Sequence, residues 1–369
     1  MFTELHPRRR LGAPASRDTA RQLTVIRSLL RTIAPIVKVE TPPTVALEPA
    51  GRRPLFTLEA MAARKAWAQA LPSDARLMVI SHLKRAEVLG PMRNVARAPA
   101  DAAIDAIAGD FPHAAPVIAW LKEYLALARC CPGQELSFPP ILLSGSPGTG
   151  KTALSVRLAA VMETHHRTID ISTLHTNFSV VGLDAGYSTA RPGLIWDALQ
   201  NACMSPVILL DELDKAPRDA REDPVAFLYL LLEPSSAIHF QDAALGLEVD
   251  ASKILWIATC NDTSRIDPPI LSRFMQFDVP LPTRSQMPAV VRSIQRELMS
   301  TSPWAHVFEA ELPDDVLMMF TGIAPRLVHQ VLRSAYARAA NAGRRQLWAK
   351  DIIVPATANR SRPIGFIDA

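Results

Sequence analysis

Cysteine is scarce in this sequence. Four occur in 369 residues, Cys130, Cys131, Cys203 and Cys260, and no two stand at CxxC spacing. That usage speaks against an oxidising compartment and predicts a reducing cytoplasm. Long apolar runs are missing as well: no window approaches the about eighteen uninterrupted apolar residues of a membrane helix, because Pro, Asp or Gly stops each run. No membrane partner is expected. Arg8, Arg9 and Arg10 have no apolar core behind them, which excludes an ordinary export signal. Charge of one sign is lacking too, since 40 basic against 36 acidic residues leave only +4. A nucleic-acid footprint needs clustered charge on one face, and neither a basic stripe nor interleaved aromatics occurs, so nucleic acid is not an expected partner. No internal repeat recurs at a fixed period.

What remains is an ordinary soluble composition, 49% apolar and 21% charged, on a chain long enough for two or three domains. Residues 1–56 read as a largely flexible leader, because "VETPPTVALEPAGRRPLF" is rich in Pro and turn formers. Within it, "DTARQLTVIRSLLRTIAPIV" carries Leu23, Ile26, Leu29, Leu30 and Ile33 at helical spacing, as a short helix or a docking segment. Residues 57–132 keep a helical period throughout. From 133 to 281 the texture changes to short apolar runs, "PPILLSG", "RTIDIS", "SPVILLDEL" and "SKILWIATCN", alternating with helical stretches. That alternation predicts an α/β fold with a parallel sheet covered on both faces. Residues 282–345 return to helices, the last with Pro325 in its first turn and Gly343 beyond its end. Residues 346–369 form a short basic tail.

The chemistry is concentrated in "ILLSGSPGTGKTALSVRLAA", Ile141 to Ala160. Gly145, Gly150, Lys151 and Thr152 satisfy GxxxxGK[ST] between an apolar run and a helical one. In such a loop, Gly145, Ser146, Pro147, Gly148, Thr149 and Gly150 turn successive amides toward phosphate oxygens. Lys151 reaches the outer phosphates as a point charge, and Thr152 is a ligand for Mg2+. Some sixty residues on, by the numbering, "VILLDELDK" ends an apolar run in two acids. Asp211 is expected to hold the metal and Glu212 to orient and deprotonate the attacking water. Asn261, closing "ILWIATCN", would lie beside the phosphate in a parallel sheet, where its amide can position the same water. His165 and His166 are adjacent without a partner at metal spacing, and read as surface residues at a helix end. No GxSxG is present to suggest a serine nucleophile.

With these motifs the chain resembles an AAA+ ATPase, specifically the ATPase module of Lon proteases. The likeness runs from about Leu71 to Ile352 and is strongest over Ile141 to Pro282. There "VILLDELDKAPRDAREDPVAFLYLLLEPSSAIHFQDAALGLEVDASKILWIATCN" follows the Lon order of Walker B, DP, leucine-rich helix, Pro turn, F-x-D, acidic strand and sensor 1. The resemblance implies ATP as the nucleotide, an AAA+ P-loop core with its parallel sheet between helices, a helical neck before it and an α-helical lid after it. It implies Asn261 as sensor 1, Arg273 in "LSRF" as an arginine finger acting on a neighbouring subunit, with Arg265 the runner-up, and Arg326 in "IAPRLVHQVL" as sensor 2. A guanidinium suits those tasks because it is always charged and spreads over several phosphate oxygens. Tyr187 in "GYSTARPGLIW" falls at the aromatic pore position that grips passing polypeptide, while Ser188 stands where the family usually has a bulky apolar residue.

The sequence also departs from Lon. The large N-terminal substrate domain is replaced by the Pro-rich leader. After Gly343 only "RRQLWAKDIIVPATANRSRPIGFIDA" follows, too short for a serine–lysine peptidase domain. The lid between "PDDVLMMF" and "APRLVHQV" looks shorter than the family's. The expectation is a cytoplasmic, ring-forming homo-hexamer that hydrolyses ATP to remodel a protein substrate, without peptidase activity. The alternative is an ATP-dependent switch or scaffold that recruits a separately encoded partner protein.

Overall fold

A computed structural model describes residues 51–217 and 223–354. The leader helix expected at 18–37 and the tail beyond 354 lie outside the described residues, as does the stretch 218–222 after the paired acids.

At the centre stand β1 (Ile141–Ser144), β2 (His166–Asp170), β3 (Val207–Asp211), β4 (Leu255–Thr259) and β5 (Met275–Asp278). They form one five-stranded sheet in the order β2-β3-β4-β1-β5, with every pairing parallel. The register sets Leu142 opposite Ala258 on one side and Gln276 on the other. The three inner strands read "ILLS", "VILLD" and "LWIAT", apolar almost without break, as strands buried on both faces must. Four of these runs match the apolar runs picked out in the sequence. The fifth, "MQFD", is an edge strand with mostly exposed side chains, where apolar and polar residues alternate and no continuous apolar run stands out.

Side chains alternate between the faces with period two. Leu142, Ile208, Leu210, Trp256 and Ala258 enter one core, together with Met61 and Ala68 of α1 (Leu58–Ala68) and Val79, Leu83 and Ala86 of α2 (Ser73–Leu89). Ile141, Leu143, Val207, Leu209, Leu255 and Ile257 enter the other. Against them pack α3 (Asp101–Asp110), α4 (Ala115–Arg129) and α5 (Lys151–Val161). The residues expected to form a neck therefore supply cover for both faces of the sheet.

Thr57 caps α1, its hydroxyl accepting from the Ala60 amide at 3.1 Å, and Gly90 at φ +78° ends α2. Two differences from the sequence reading appear here. Arg52–Pro54 pairs antiparallel with Met92–Asn94, so a strand lies inside the stretch read as wholly helical. Leu55 and Phe56, placed in the flexible leader, are buried in the first core.

The last region has its own core. It is built on α6 (Met287–Thr301), the turn of helix Asp314–Met318 and α7 (Pro325–Asn341). Trp304, Phe308 and Tyr336 meet with ring centroids 4.8 to 5.6 Å apart. Leu347 and Ile352 join this core, and Arg344 holds Asp351 through two bonds of 2.7 Å, so the packed lid continues past residue 345.

Candidate active site

The carboxyl ends of β1, β3 and β4 open onto one cleft of about 500 Å³. The loop after β1 turns on Gly145 (φ +138°), Gly148 (φ +84°) and Gly150 (φ +95°), a left-handed sequence that glycine adopts without strain. At Gly148 the space is needed as well: a Cβ there would lie 2.6 Å from Cδ of Arg326. The Lys151 ammonium is buried and donates to the carbonyls of Gly145 (2.6 Å) and Ser146 (3.1 Å) and to Asn261 Oδ1 (3.4 Å). Burial lowers its pKa, opposed by Asp211, Asp214 and Asp278 nearby.

Beside it, Thr152 Oγ1 lies 3.4 Å from both Asp211 oxygens. A hydroxyl and a carboxylate are hard oxygen donors at the loop's exit, a set that fits Mg2+. Thr259, the last residue of β4, completes this corner: its hydroxyl donates to Asp211 and accepts from the Glu212 amide at 3.1 Å. Glu212 sits in the left-handed region at φ +57°, which costs roughly 1–3 kcal/mol in a residue with a side chain. That turn swings its carboxylate out of line with β3, and Lys215 donates to it at 2.5 Å.

The cleft's other end was not read from the sequence. The turn between α3 and α4 supplies Asp110, Phe111 and His113, and the lid supplies Val290, Ile294 and Pro325. Phe111 lies 3.5 Å from where a Gly150 Cβ would be. His113 is buried, its Nε2 bonded to the Thr149 carbonyl at 2.8 Å, and burial lowers its pKa. Asp110 accepts from Arg157 of α5 at 3.1 Å and from Arg296 of α6. Gln286 donates to the Pro112 carbonyl at 3.1 Å, and the Arg326 amide to the Gly148 carbonyl at 3.3 Å, so the lid meets both the turn and the phosphate loop. The only signal for the turn was "DFPHAAP", a Pro-interrupted break between two helical periods.

The structure thus brings Pro147, Gly148, Thr149, Gly150, Lys151, Thr152, Asp211, Glu212, Asn261 and Arg326 to one cleft. Gly145 and Ser146 adjoin it through the Lys151 bonds. Among the described residues, Arg273 is not part of its lining. Arg273 is half-buried elsewhere, donating to the Pro269 carbonyl at 2.6 Å with its guanidinium 5.6 Å from the Tyr229 ring centroid. Arg265 is exposed beside Asp223 and Asp267. Tyr187 is 63% exposed at the tip of a loop. The base of that loop is closed by a bridge between Leu183 and Arg191. Buried Asp242 fastens it, accepting from the amides of Gly193 (2.7 Å), Ala244 (3.0 Å) and Leu245 (3.2 Å). Burial raises the Asp242 pKa to about 6 against the pull of those three amides. His166 begins the edge strand β2 rather than ending a helix, and among the described residues no three His, Cys, Asp or Glu side chains cluster to hold a metal.

Residues 141–281 match the family described as ATPase family associated with various cellular activities (AAA). The Lon protease of Mycoplasma mobile is 38% identical over 136 residues, 37% of this chain and 16% of that protein. Lon protease 1 of Thermus thermophilus is 34% identical over 175 residues, 47% of this chain and 22% of the relative. The chain thus spans 16% to 22% of the length of these two relatives. Among solved structures, the closed state of Hsp104 with ATPγS and FITC casein gives a TM-score of 0.52 at 17% identity, over 66% of this chain and 48% of that one, a likeness of fold. Sequence and architecture agree: residues 141–281 match the AAA family, carry an AAA+ P-loop fold, and are similar to a stretch of the Lon proteases.

Proposed function

We propose that this chain binds ATP with Mg2+, hydrolyses it, and works as a homo-hexameric ring that pulls on or remodels polypeptides without cleaving them. One observation carries the reading: Lys151, Thr152, Asp211, Glu212, Asn261 and Arg326 line or adjoin a single cleft, while Arg273 stands outside it. The loop amides and Lys151 hold the phosphates. Thr152 and Asp211 hold Mg2+, which when bound neutralises charge on the phosphate oxygens. Glu212 takes the proton of the attacking water, Asn261 orients that water, and Arg326 contacts the outer phosphate from the lid. Arg273 reaches the nucleotide of a neighbouring copy, so the site is complete only in the assembly. Tyr187, exposed at its loop tip, grips polypeptide of any sequence. The four free cysteines support a cytoplasmic setting.

The test is Glu212→Gln. It binds ATP at wild-type strength and holds the ring by mass measurement, with hydrolysis lowered by at least about a hundredfold; ordinary turnover in that variant sinks the assignment.

A second reading, an ATP-dependent switch that recruits a partner protein, is favoured by the Lys215 bond to the Glu212 carboxylate, which must be released before Glu212 can act as a base. Tyr187→Ala separates the two: it stops unfolding of a casein-like client in the motor and leaves partner capture intact in the switch.

A further inference from the structure

The side chain of Arg273 runs back over its own turn. Nη1 donates to the Pro269 carbonyl at 2.6 Å, an oxygen that also accepts from the Ser272 hydroxyl at 3.0 Å. Nε is buried without a hydrogen-bond partner, and among the described residues Nη2 makes no hydrogen bond. A guanidinium brings five N–H donors, so a single bond leaves most of its charge uncompensated. Across from it stands the ring of Tyr229. The guanidinium carbon lies 5.6 Å from the ring centroid, inside the range in which the negative face of an aromatic attracts a cation. Both residues are mounted on fixed supports. The helical turn Phe227–Leu231 buries Phe227, Leu228 and Leu231 in the first core and leaves Tyr229 37% exposed. The turn Pro268–Leu271, just before Arg273, buries Ile270 in that same core, and Phe274 follows it there. A long arginine side chain has several torsions to order, and a ring anchored on the same core removes part of that freedom before a neighbour arrives.

We propose that Tyr229 is a positioning residue for Arg273, its ring face holding the guanidinium in one orientation, ready for the phosphate of a neighbouring copy. This rests on the reading of Arg273 as a finger that acts in trans. The face of the ring does the holding and the hydroxyl does not, so phenylalanine can take its place and leucine cannot. A guanidinium already oriented pays no reorganisation as charge develops in the transition state. Loss of the ring therefore lowers kcat and leaves KM for ATP nearly unchanged.

The experiment mixes full-length chains and measures ATP hydrolysis with Mg2+ present. Lys151→Ala chains keep an intact Arg273 and Arg273→Ala chains keep an intact phosphate loop, so a mixed interface of the right order regains a working site. Tyr229→Leu is then placed on one partner at a time. On the Lys151→Ala chain, which lends the finger, it lowers recovered hydrolysis roughly three- to tenfold, the worth of one cation–π contact, with KM within about twofold. On the Arg273→Ala chain it changes nothing, and Tyr229→Phe retains full recovery on either. Equal losses in the two placements mark Tyr229 as a structural residue and overturn the assignment. So does a loss with phenylalanine that matches the loss with leucine, or no loss at all in a mixture that still recovers. No recovery even with Tyr229 intact removes the trans reading of Arg273, and this assignment with it.

Discussion

At the scale of single residues, the cleft joins side chains of two kinds. Lys151, Thr152, Asp211 and Glu212 were legible in the sequence because phosphate and Mg2+ chemistry demands those residue types at fixed offsets from a strand and a loop. His113 and Thr259 were not. Each is positioned by tertiary packing alone, the first by a turn more than thirty positions upstream of the loop, the second as the last member of a fully buried strand. Asp242 belongs with them, and its energetics yield a prediction. Burial raises its pKa from 3.8 to about 6, so the folded chain binds a proton there that the unfolded chain releases. That contribution to stability is complete below about pH 3.8 and fades as pH rises through about 6, by up to about 3 kcal/mol. Chemical denaturation at stepped pH should show Asp242→Asn without this slope. At neutral pH the same variant is less stable by roughly 1–3 kcal/mol, since its amide cannot accept from all three backbone donors. Gly148→Ala is expected to fail differently, because its Cβ strikes Arg326 and its left-handed φ strains an alanine: nucleotide affinity drops, together with a fall of a few degrees in melting temperature for roughly 1–2 kcal/mol of strain.

At the scale of elements, the inner strands declared themselves through unbroken apolar runs, whereas β5 did not, since an edge strand can alternate Met and Phe with Gln and Asp and still pair along its whole length. Leu209 in β3 is fully buried between helices and sheet, and Leu209→Ala should cost 2–5 kcal/mol, on the order of other large-to-small core changes, read as a lower denaturation midpoint at unchanged slope. The loop carrying Tyr187 behaves in the opposite way. Tyr187 makes no demand on the core, so Tyr187→Ala should leave the melting temperature within about a degree while client unfolding is lost, and a fall of several degrees would mark it as a structural anchor instead. The helices before the sheet gave a clear period, yet nothing in that period tells which sheet face they cover, and residues 57–132 divide between both.

For the molecule as a whole, the position of Arg273 outside its own cleft makes complementation the decisive measurement. Lys151→Ala and Arg273→Ala chains, each inactive alone, should regain about a quarter of wild-type hydrolysis when mixed, because random head-to-tail assembly pairs an intact loop with an intact finger at one interface in about four. No recovery would mean that Arg273 serves its own subunit. The sequence could name this arginine only through family likeness, since the copy it is proposed to serve is another chain.

One carboxylate, that of Asp110, answers two guanidiniums at once, Arg157 from the phosphate-loop helix and Arg296 from the lid. Losing it strands two like charges side by side, whereas losing either arginine leaves the other still paired with the carboxylate. Position 110 should therefore be the constrained one: among near kin of this chain, a neutral residue there should come with the loss of a charge at 157 or 296, whereas either arginine can vary singly.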